Sequence, residues 1–359
     1  MTDHVAEMRR YAGEALEALG RPINLMEVCG THTVAIFRGG IHSAFPAGLR
    51  MLSGPGCPVC VTDQGYIDTA LELAARSDCI IATYGDMIRV PGGRGSLETL
   101  RGARVEVVLS SDDAVGLARE NPDKVVVFLA VGFETTTPAT AVAVETARRM
   151  GVENFCVLCG HKLVVPAMRA LLSAKNDQID GFLCPGHVSV IIGSDAYGEI
   201  ARDFRRPCVV AGFESAQILD GIGELCRQLS RREAAVGSLY RGVVTPGGNK
   251  AAQAMMRAYF EPYDGPWRGL GVIPGGSLRL RAEYARYDAR RRFGLEERVV
   301  EEPAGCRCGQ VLCGLMSPPD CGLFGRACTP DAPVGPCMVS SEGACSAWYK
   351  YGGRSGRHE

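Results

Sequence analysis

The chain has 359 residues, of which 46% are hydrophobic and 22% are charged, and its formal net charge is −1. This length exceeds one ordinary hydrophobic core and predicts two or three domains, and the composition is typical of a globular protein. A net charge so close to zero excludes a strong overall field that would attract nucleic acid or an anionic membrane.

The first 19 residues predict an amphipathic helix that lacks the apolar segment and cleavage site of a secretory signal. This helix has no strand of its own beside it, so we expect it to pack against the C-terminal region. No stretch approaches about 18 consecutive apolar residues, so no membrane span is predicted. These features predict a cytoplasmic protein, in which cysteines stay reduced and serve metal binding or redox chemistry.

Short β-branched runs alternate with helical patterns from residue 23 to about residue 230. Strands are predicted at residues 23–29, 49–53, 79–84, 105–109, 125–131, 155–159, 181–184 and 208–211. Helices are predicted between them, among others at residues 67–76, 139–150, 166–174 and 216–231. This alternation indicates an α/β fold with parallel sheets covered on both faces. We expect two docked α/β domains, over residues 23–143 and 144–232.

The pattern changes after residue 230. Short strands are predicted near residues 270–273 and 278–281, and a basic helix near residues 285–293. A cysteine-rich tail follows, which is too poor in apolar periodicity to form a core unaided. We expect residues 1–22 and 233–359 to form a third, metal-stabilised domain.

Four loops with unusual residues follow predicted strands: CGTH at 29–32, GPGCPVC at 54–60, TYGDM at 83–87 and GFETTTP at 132–138. Ligands of parallel α/β sheets bind at the carboxyl ends of the strands, where such loops converge. The sequence therefore predicts that the four loops face one shared cleft.

Cys57 and Cys60 form a CxxC pair in a turn from a strand to a helix. The helix dipole and the free N–H groups of such a turn favour the thiolate and lower the pKa of a thiol. The pair is predicted to be a redox dithiol or half of a metal site. The alternative is two buried cysteines that pack as small hydrophobic side chains.

Cys29 ends an apolar strand, with Gly30 and Thr31 at the following turn and His32 close to it. A single thiolate beside a histidine is typical of a nucleophile or an open-site iron ligand. A buried cysteine with a structural histidine is the alternative reading. His161 and His187 follow other strands, and each fits a structural role as well as a functional one.

Seven of the sixteen cysteines lie in the tail. Their spacing is irregular and lacks the paired CxxC knuckles that are usual for zinc. An iron–sulfur cluster suits four widely spaced thiolates at least as well, but spacing alone does not choose the four ligands. The candidates are Cys306, Cys308, Cys313, Cys321, Cys328, Cys337 and Cys345.

The motifs CGTH, GPGCPVCVT, TYGDMIRVPG, GFETTTP, PGHVS and CTPDAPVGPCMVSSEGAC, in this order along nearly the whole chain, resemble those of the HypD family of [NiFe]-hydrogenase maturation proteins. The resemblance implies two docked α/β domains plus a third domain that carries a [4Fe–4S] cluster. It also implies a scaffold on which the Fe(CN)2CO group is assembled with the small chaperone HypC, with cyanide received from HypE.

The resemblance assigns site residues as well. The spacing of the cluster ligands in the family falls on Cys306, Cys321, Cys328 and Cys345, with Cys308 as a plausible substitute for Cys306. The cleft thiols of the family match Cys29, Cys57 and Cys60. In this reading Cys29 holds the iron together with a thiolate of HypC, and His32 orients the bound group. Cys57 and Cys60 cycle between dithiol and disulfide and pass electrons between the cluster and the iron site.

Two other functions remain open from the sequence. One is a stand-alone iron–sulfur thiol oxidoreductase that acts on a small metabolite. The other is an interaction module that a zinc ion stabilises without redox chemistry. An ATPase is a weaker interpretation, because the sequence has no GxxxxGK[ST] motif.

Overall fold

A computed structural model describes residues 2–173 and 178–352 of the chain. Its strands are β1 (Ile23–Glu27), β2 (Leu49–Ser53), β3 (Cys79–Thr83), β4 (Val105–Val107), β5 (Val125–Gly132), β6 (Phe155–His161), β7 (Gly181–Pro185), β8 (Cys208–Ala211), β9 (Val236–Ser238), β10 (Phe260–Trp267) and β11 (Gly271–Leu280). The first helices are α1 (Thr2–Leu19), α2 (Gly30–Arg38), α3 (Pro58–Val61), α4 (Gln64–Ala74), α5 (Ser111–Glu120), α6 (Thr137–Met150) and α7 (Val164–Ser173). They are followed by α8 (Gly186–Ile192), α9 (Gly198–Phe204), α10 (Ser215–Ser230), α11 (Lys250–Tyr259), α12 (Ala289–Phe293), α13 (Cys308–Leu312), α14 (Pro336–Val339) and α15 (Ala344–Tyr351).

Two parallel sheets form the body of the molecule. One has the strand order β2-β1-β7-β8-β9 and the other has the order β4-β3-β5-β6. All five residues of β3 and of β7 are buried, as expected for strands that are covered by helices on both faces. The prediction of an α/β fold with parallel sheets is confirmed.

The strand pairing crosses the boundary predicted at residues 143 and 144. Strand β1 pairs with β2 and also with β7, where Leu25 lies opposite Gly181. Strand β6 pairs with β5 in the other sheet, with Val126 opposite Phe155. Apolar runs identify strands, but the choice of neighbour depends on long-range packing. The two sheets are therefore not consecutive in sequence.

Helix α1 packs against α10, and the expectation that it packs against the tail is wrong. Met8, Ala12 and Ala15 are buried in one cluster with side chains of α10 such as Ile218 and Ile222. The apolar stripe of α1 thus covers the outer face of α10, because that face is left open by the first sheet.

An antiparallel hairpin of β10 and β11 follows the two sheets, in place of the two short strands predicted there. The basic helix predicted at residues 285–293 is shorter, since only α12 is α-helical in that range. The helix predicted at residues 166–174 corresponds to α7, and residue 174 lies outside the described residues. No helix of the described ranges is both long and apolar enough to cross a bilayer.

The cysteine-rich tail packs into the body of the molecule. Val311 and Leu312 of α13 and Met338 of α14 belong to the same buried cluster as Cys57 and Cys60. Helix α15 packs on α2, where the Trp348 and Phe37 rings lie 4.6 Å apart. These contacts place the tail beside the loops that contain Cys29, Cys57 and Cys60. The tail forms a small cysteine-rich region, as predicted.

Candidate functional site

A cavity of about 830 Å³ lies where the carboxyl ends of both sheets meet. The four loops singled out in the sequence contribute to its wall, which confirms that they converge. The segment after β7 and a part of the tail complete the wall. The lining residues that matter below are Cys29, Thr31, Gly56, Pro58, Val59, Asp86, Phe133, Thr135, His187, Ser340, Ser341 and Glu342.

Cys29 lies in the cavity wall at the junction between β1 and α2, with 9% of its surface exposed. Burial raises the pKa of its thiol to about 12, although the amides of His32 and Thr31 oppose the shift. Without a bound cation the thiol is therefore protonated, and a soft metal ion would replace the proton. The backbone N–H of Cys29 donates to Glu27 Oε2 at 2.9 Å, which fixes the turn.

The loop after β2 approaches Cys29 so closely that residue 56 must be glycine. A Cβ atom on Gly56 would lie 2.1 Å from the backbone nitrogen of Cys29. The backbone N–H of Gly30 donates to the Gly56 carbonyl at 3.1 Å. The CGTH and GPGC loops therefore form one continuous wall.

His32 lies behind the cavity wall and does not line the cavity. Its Nε2 donates to the carbonyl of Gly212 at 2.9 Å, and burial lowers its pKa to about 4. The neutral ring packs at a tilt against Phe213, with ring centroids 4.9 Å apart, and the His187 ring lies 4.2 Å from the same phenyl ring. His187, which follows β7, lines the cavity, whereas His32 does not.

Cys57 and Cys60 lie behind the wall on the side of the tail. The sulfur of Cys57 accepts a hydrogen bond from the backbone N–H of Cys60 at 3.2 Å, while Pro58 and Val59 face the cavity. Burial is the main cause that raises the pKa of the Cys60 thiol, and its contact with Cys337 is the second. The expected lowering of thiol pKa is wrong for Cys60, because α3 has a single turn and desolvation outweighs its dipole.

A group of cysteines lies directly beyond this dithiol. The sulfurs of Cys308, Cys337 and Cys345 are all within 4.8 Å of one another, and the three residues are buried. The Cys306 sulfur lies 3.3 Å from that of Cys308. Contacts with Cys308, Cys345 and Cys60 lower the pKa of the Cys337 thiol. A Cys-rich site of this kind can bind a metal.

The four tail residues assigned by resemblance surround one small cavity next to this group. Cys306, Cys321, Cys328 and Cys345 line it, together with Cys308. The geometry thus puts Cys308, the possible substitute for Cys306, and Cys337, which is outside the assigned set, close to the assigned residues. Cys313 does not line this cavity, and its thiol donates to the Gly269 carbonyl at 3.5 Å.

Sequence reasoning missed three cavity residues of the tail, namely Ser340, Ser341 and Glu342. Asp86 Oδ2 accepts hydrogen bonds from the Ser340 hydroxyl at 3.0 Å and from the Ser341 N–H at 3.1 Å. Thr31 donates to Glu342 Oε1 at 2.7 Å. A carboxylate in the short segment between two clustered cysteines was the signal that could have found them.

Glu134 of the GFETTTP loop and His161 are buried outside the cavity wall. Glu134 Oε1 accepts the backbone N–H of Val164 at 3.0 Å, and burial raises the pKa of this carboxyl to about 7. The Nε2 of His161 lies 2.9 Å from the Thr140 hydroxyl. Both residues connect helices to the second sheet, which is a structural role.

Comparison with known proteins gives a consistent result. The HypD family model, described as "Hydrogenase formation hypA family", matches residues 4–352. The chain is 50% identical over 341 residues to the hydrogenase maturation factor HypD of Azotobacter vinelandii, covering 92% of this chain and 90% of that protein. It is 45% identical over 350 residues to the same factor of Escherichia coli (strain K12), covering 97% and 94%. With the factor of Rhodobacter capsulatus the identity is 44% over 356 residues, covering 97% and 94%. The chain therefore belongs to the HypD family of hydrogenase maturation factors.

Proposed function

We propose that this chain is the scaffold on which the Fe(CN)2CO group of [NiFe]-hydrogenase is assembled, in a complex with HypC and with cyanide supplied by HypE. The observation that carries the proposal is the Cys29 thiol in the wall of a cavity that loops of both sheets build. At about 830 Å³ the cavity has the size of a small-molecule site and leaves room for a partner segment.

Cys29 would hold the iron, which is the cargo of the reaction. A thiolate is a soft ligand that suits iron with strong-field diatomic ligands, and the partner would supply a second thiolate. Thr135 and His187 in the wall offer hydrogen-bond donors to the nitrogen or oxygen ends of the diatomic ligands. His32 would act indirectly, because its packing against Phe213 holds the ring that supports His187.

Cys57 and Cys60 would act as a redox dithiol beside the iron site. Oxidation to a disulfide releases two electrons and two protons, and reduction takes them up again. The closeness of the two residues supports this role, since the N–H of Cys60 already contacts the Cys57 sulfur at 3.2 Å. The contact of Cys60 with Cys337 joins the dithiol to the cysteine group of the tail.

The tail fits a [4Fe–4S] cluster by the chemistry of its donors. Five thiols line the small cavity, and apolar side chains such as Leu323 and Phe324 surround them. Cys306, Cys321, Cys328 and Cys345 would hold the cluster, with Cys308 as the substitute for Cys306. Such a cluster accepts and donates single electrons when it is bound.

Infrared spectroscopy of the anaerobically purified complex with HypC tests the scaffold role. The complex should show cyanide and carbonyl stretching bands, and Cys29→Ala should remove them. Cys226→Ala is the matched control, because Cys226 is buried in α10 and does not line the cavity. Full bands in Cys29→Ala would contradict the assignment of Cys29 as the iron ligand.

A zinc-stabilised interaction module is the second candidate, favoured by the compact group of Cys308, Cys337 and Cys345. Thiolates alone also satisfy zinc. Metal and sulfide analysis of the anaerobic protein distinguishes the two. Iron with equimolar sulfide supports the scaffold with a cluster, whereas zinc without sulfide supports the module.

A further inference from the structure

Arg268 is a fully enclosed guanidinium group, with 2% of its surface exposed. It lies in the turn between β10 and β11. Its backbone N–H donates to the Val61 carbonyl at 2.9 Å, and Nε donates to the Thr62 carbonyl at 2.9 Å. Nη2 donates to Gln64 Oε1 at 3.2 Å. These partners fix the side chain, but all of them are neutral.

The charge of Arg268 has no counterion within the described parts of the chain. Nη1 is buried without any hydrogen-bond partner, and no carboxylate forms an ion pair with the guanidinium. An arginine stays protonated in proteins, so it cannot lose this charge as a lysine could. A buried charge without a partner costs roughly several kcal/mol. The buried and unpaired guanidinium of Arg268 therefore indicates an anion that the chain itself does not supply.

The turn that carries Arg268 contacts both the helix of the dithiol and a helix of the cysteine group. Val61 and Thr62 end α3, the helix that contains Cys60. On the other side, a Cβ on Gly269 would lie 2.2 Å from the Gly309 Cα in α13, so the turn touches the helix that begins at Cys308.

Arg268 also lies near enough to Cys306 to attract the sulfur of that residue electrostatically.

The other charged groups nearby do not form an ion pair with Arg268. Asp63 accepts the Tyr66 N–H at 2.9 Å and so begins α4, and Glu302 lies near Gly309. Arg307 lines the small cavity of the cysteine group, but it is exposed, so water screens its charge. Among these groups, only Arg268 combines a fixed positive charge with complete burial.

We infer that Arg268 is the countercation of a metal–thiolate group held by the tail cysteines, and that its free Nη1 donates toward the thiolate sulfurs. This inference rests on the proposed function in one respect, that the tail holds a metal. A metal with four thiolates carries net negative charge, which a buried cation stabilises in a medium of low dielectric constant. For an iron–sulfur cluster, nearby positive charge and hydrogen bonds to sulfur make reduction easier.

The experiment compares Arg268→Gln, Arg268→Met and Arg268→Lys with the wild-type full-length protein, all purified anaerobically. The midpoint potential of the cluster is measured by mediated titration with EPR detection, alongside iron and sulfide content. Both neutral variants should shift the potential to more negative values, and Arg268→Lys should stay close to wild type. Arg268→Met keeps an apolar stem without burying an unpaired amide. It therefore tests the same loss of charge if the Gln variant misfolds.

Two further variants serve as controls. Arg206→Gln removes a guanidinium that donates to the Ile179 carbonyl at 2.6 Å, just before β7, and it should leave the potential unchanged. Arg307→Gln removes the exposed cation and should shift the potential less than Arg268→Gln does.

The inference is wrong if the neutral Arg268 variants keep full metal content and the wild-type potential. It is equally wrong if the Lys variant shifts as far as the neutral ones, because packing would then be the cause. The rate of metal loss to EDTA allows the same comparison of variants whichever metal is bound. The neutral variants should lose metal several-fold faster than the wild type. A zinc-loaded wild type would therefore overturn the cluster assignment while leaving the role of Arg268 testable.

Discussion

Thr31 donates a 2.7 Å hydrogen bond to Glu342 across 311 residues of sequence. The bond joins the loop that contains Cys29 to the segment between Cys337 and Cys345. Asp86 makes the corresponding link from the second sheet through Ser340 and Ser341. The tail is therefore a wall of the cavity as well as a candidate metal site.

Glu342→Ala should loosen this wall. The loss of the Thr31 bond is expected to lower the free energy of unfolding by about 1 kcal/mol and to reduce the Fe(CN)2CO bands of the HypC complex. Thr31→Val should reproduce the stability loss, because it removes the other partner of the same bond. Glu283→Ala, at an exposed position, is the control for loss of a carboxylate. Normal bands in Glu342→Ala would show that the tail segment is dispensable for iron binding.

Gly56→Ala should be strongly destabilising. The added Cβ would lie 2.1 Å from the Cys29 nitrogen and 2.4 Å from its Cα, so the backbone of one loop must move. We expect a loss of about 3 kcal/mol or more in urea unfolding. Gly13→Ala is the matched control, because nothing lies within 4 Å of its added Cβ on α1. That variant should be neutral or more stable by up to about 1 kcal/mol.

Glu27 should make the stability of the iron-free protein fall as the pH rises. Burial raises the pKa of this carboxyl from 4.5 to about 8 in the folded chain, so the folded state holds a proton that the unfolded state has lost. The contribution is fully present below pH 4.5 and disappears as the pH approaches 8.

Urea unfolding of the wild type and Glu27→Gln at pH 5 and pH 8 checks this dependence. The wild type should lose roughly 3 kcal/mol relative to Glu27→Gln between the two conditions. Glu283→Gln controls for the loss of one exposed carboxyl. Parallel pH dependence of the wild type and Glu27→Gln would show that the Glu27 carboxyl is ionised when folded.

Single substitutions in the tail should distinguish two possible sets of metal ligands. One is the set assigned by resemblance, and the other is the group of Cys308, Cys337 and Cys345. Alanine at Cys306, Cys321, Cys328 or Cys345 should lower the bound iron and sulfide and destabilise the tail, because the metal supplies folding free energy. Cys313→Ala should retain both, since Cys313 does not line the small cavity of the tail.

Cys337→Ala is the decisive variant, and we expect it to keep its iron. Loss of iron in this variant but not in Cys321→Ala would favour the set of Cys308, Cys337 and Cys345 instead. Iron and sulfide per chain, measured after anaerobic purification, distinguish the outcomes.

The sequence by itself determined the local features of this protein. Near-continuous apolar runs such as β3 and β5 identified buried parallel strands, because covered strands have no polar face. Convergence of the CGTH, GPGCPVC, TYGDM and GFETTTP loops followed from the position of each loop after a strand. The ordered motifs were also specific enough to identify the family.

Only the tertiary structure decided which distant residues meet. The pairing of β1 with β7, the packing of α1 on α10 and the position of His32 behind Phe213 depend on contacts between segments far apart in the chain. The same is true of Cys60 beside Cys337 and of the unpaired charge of Arg268. Periodicity and spacing report the environment along one segment, whereas these relationships arise when separate segments share one core.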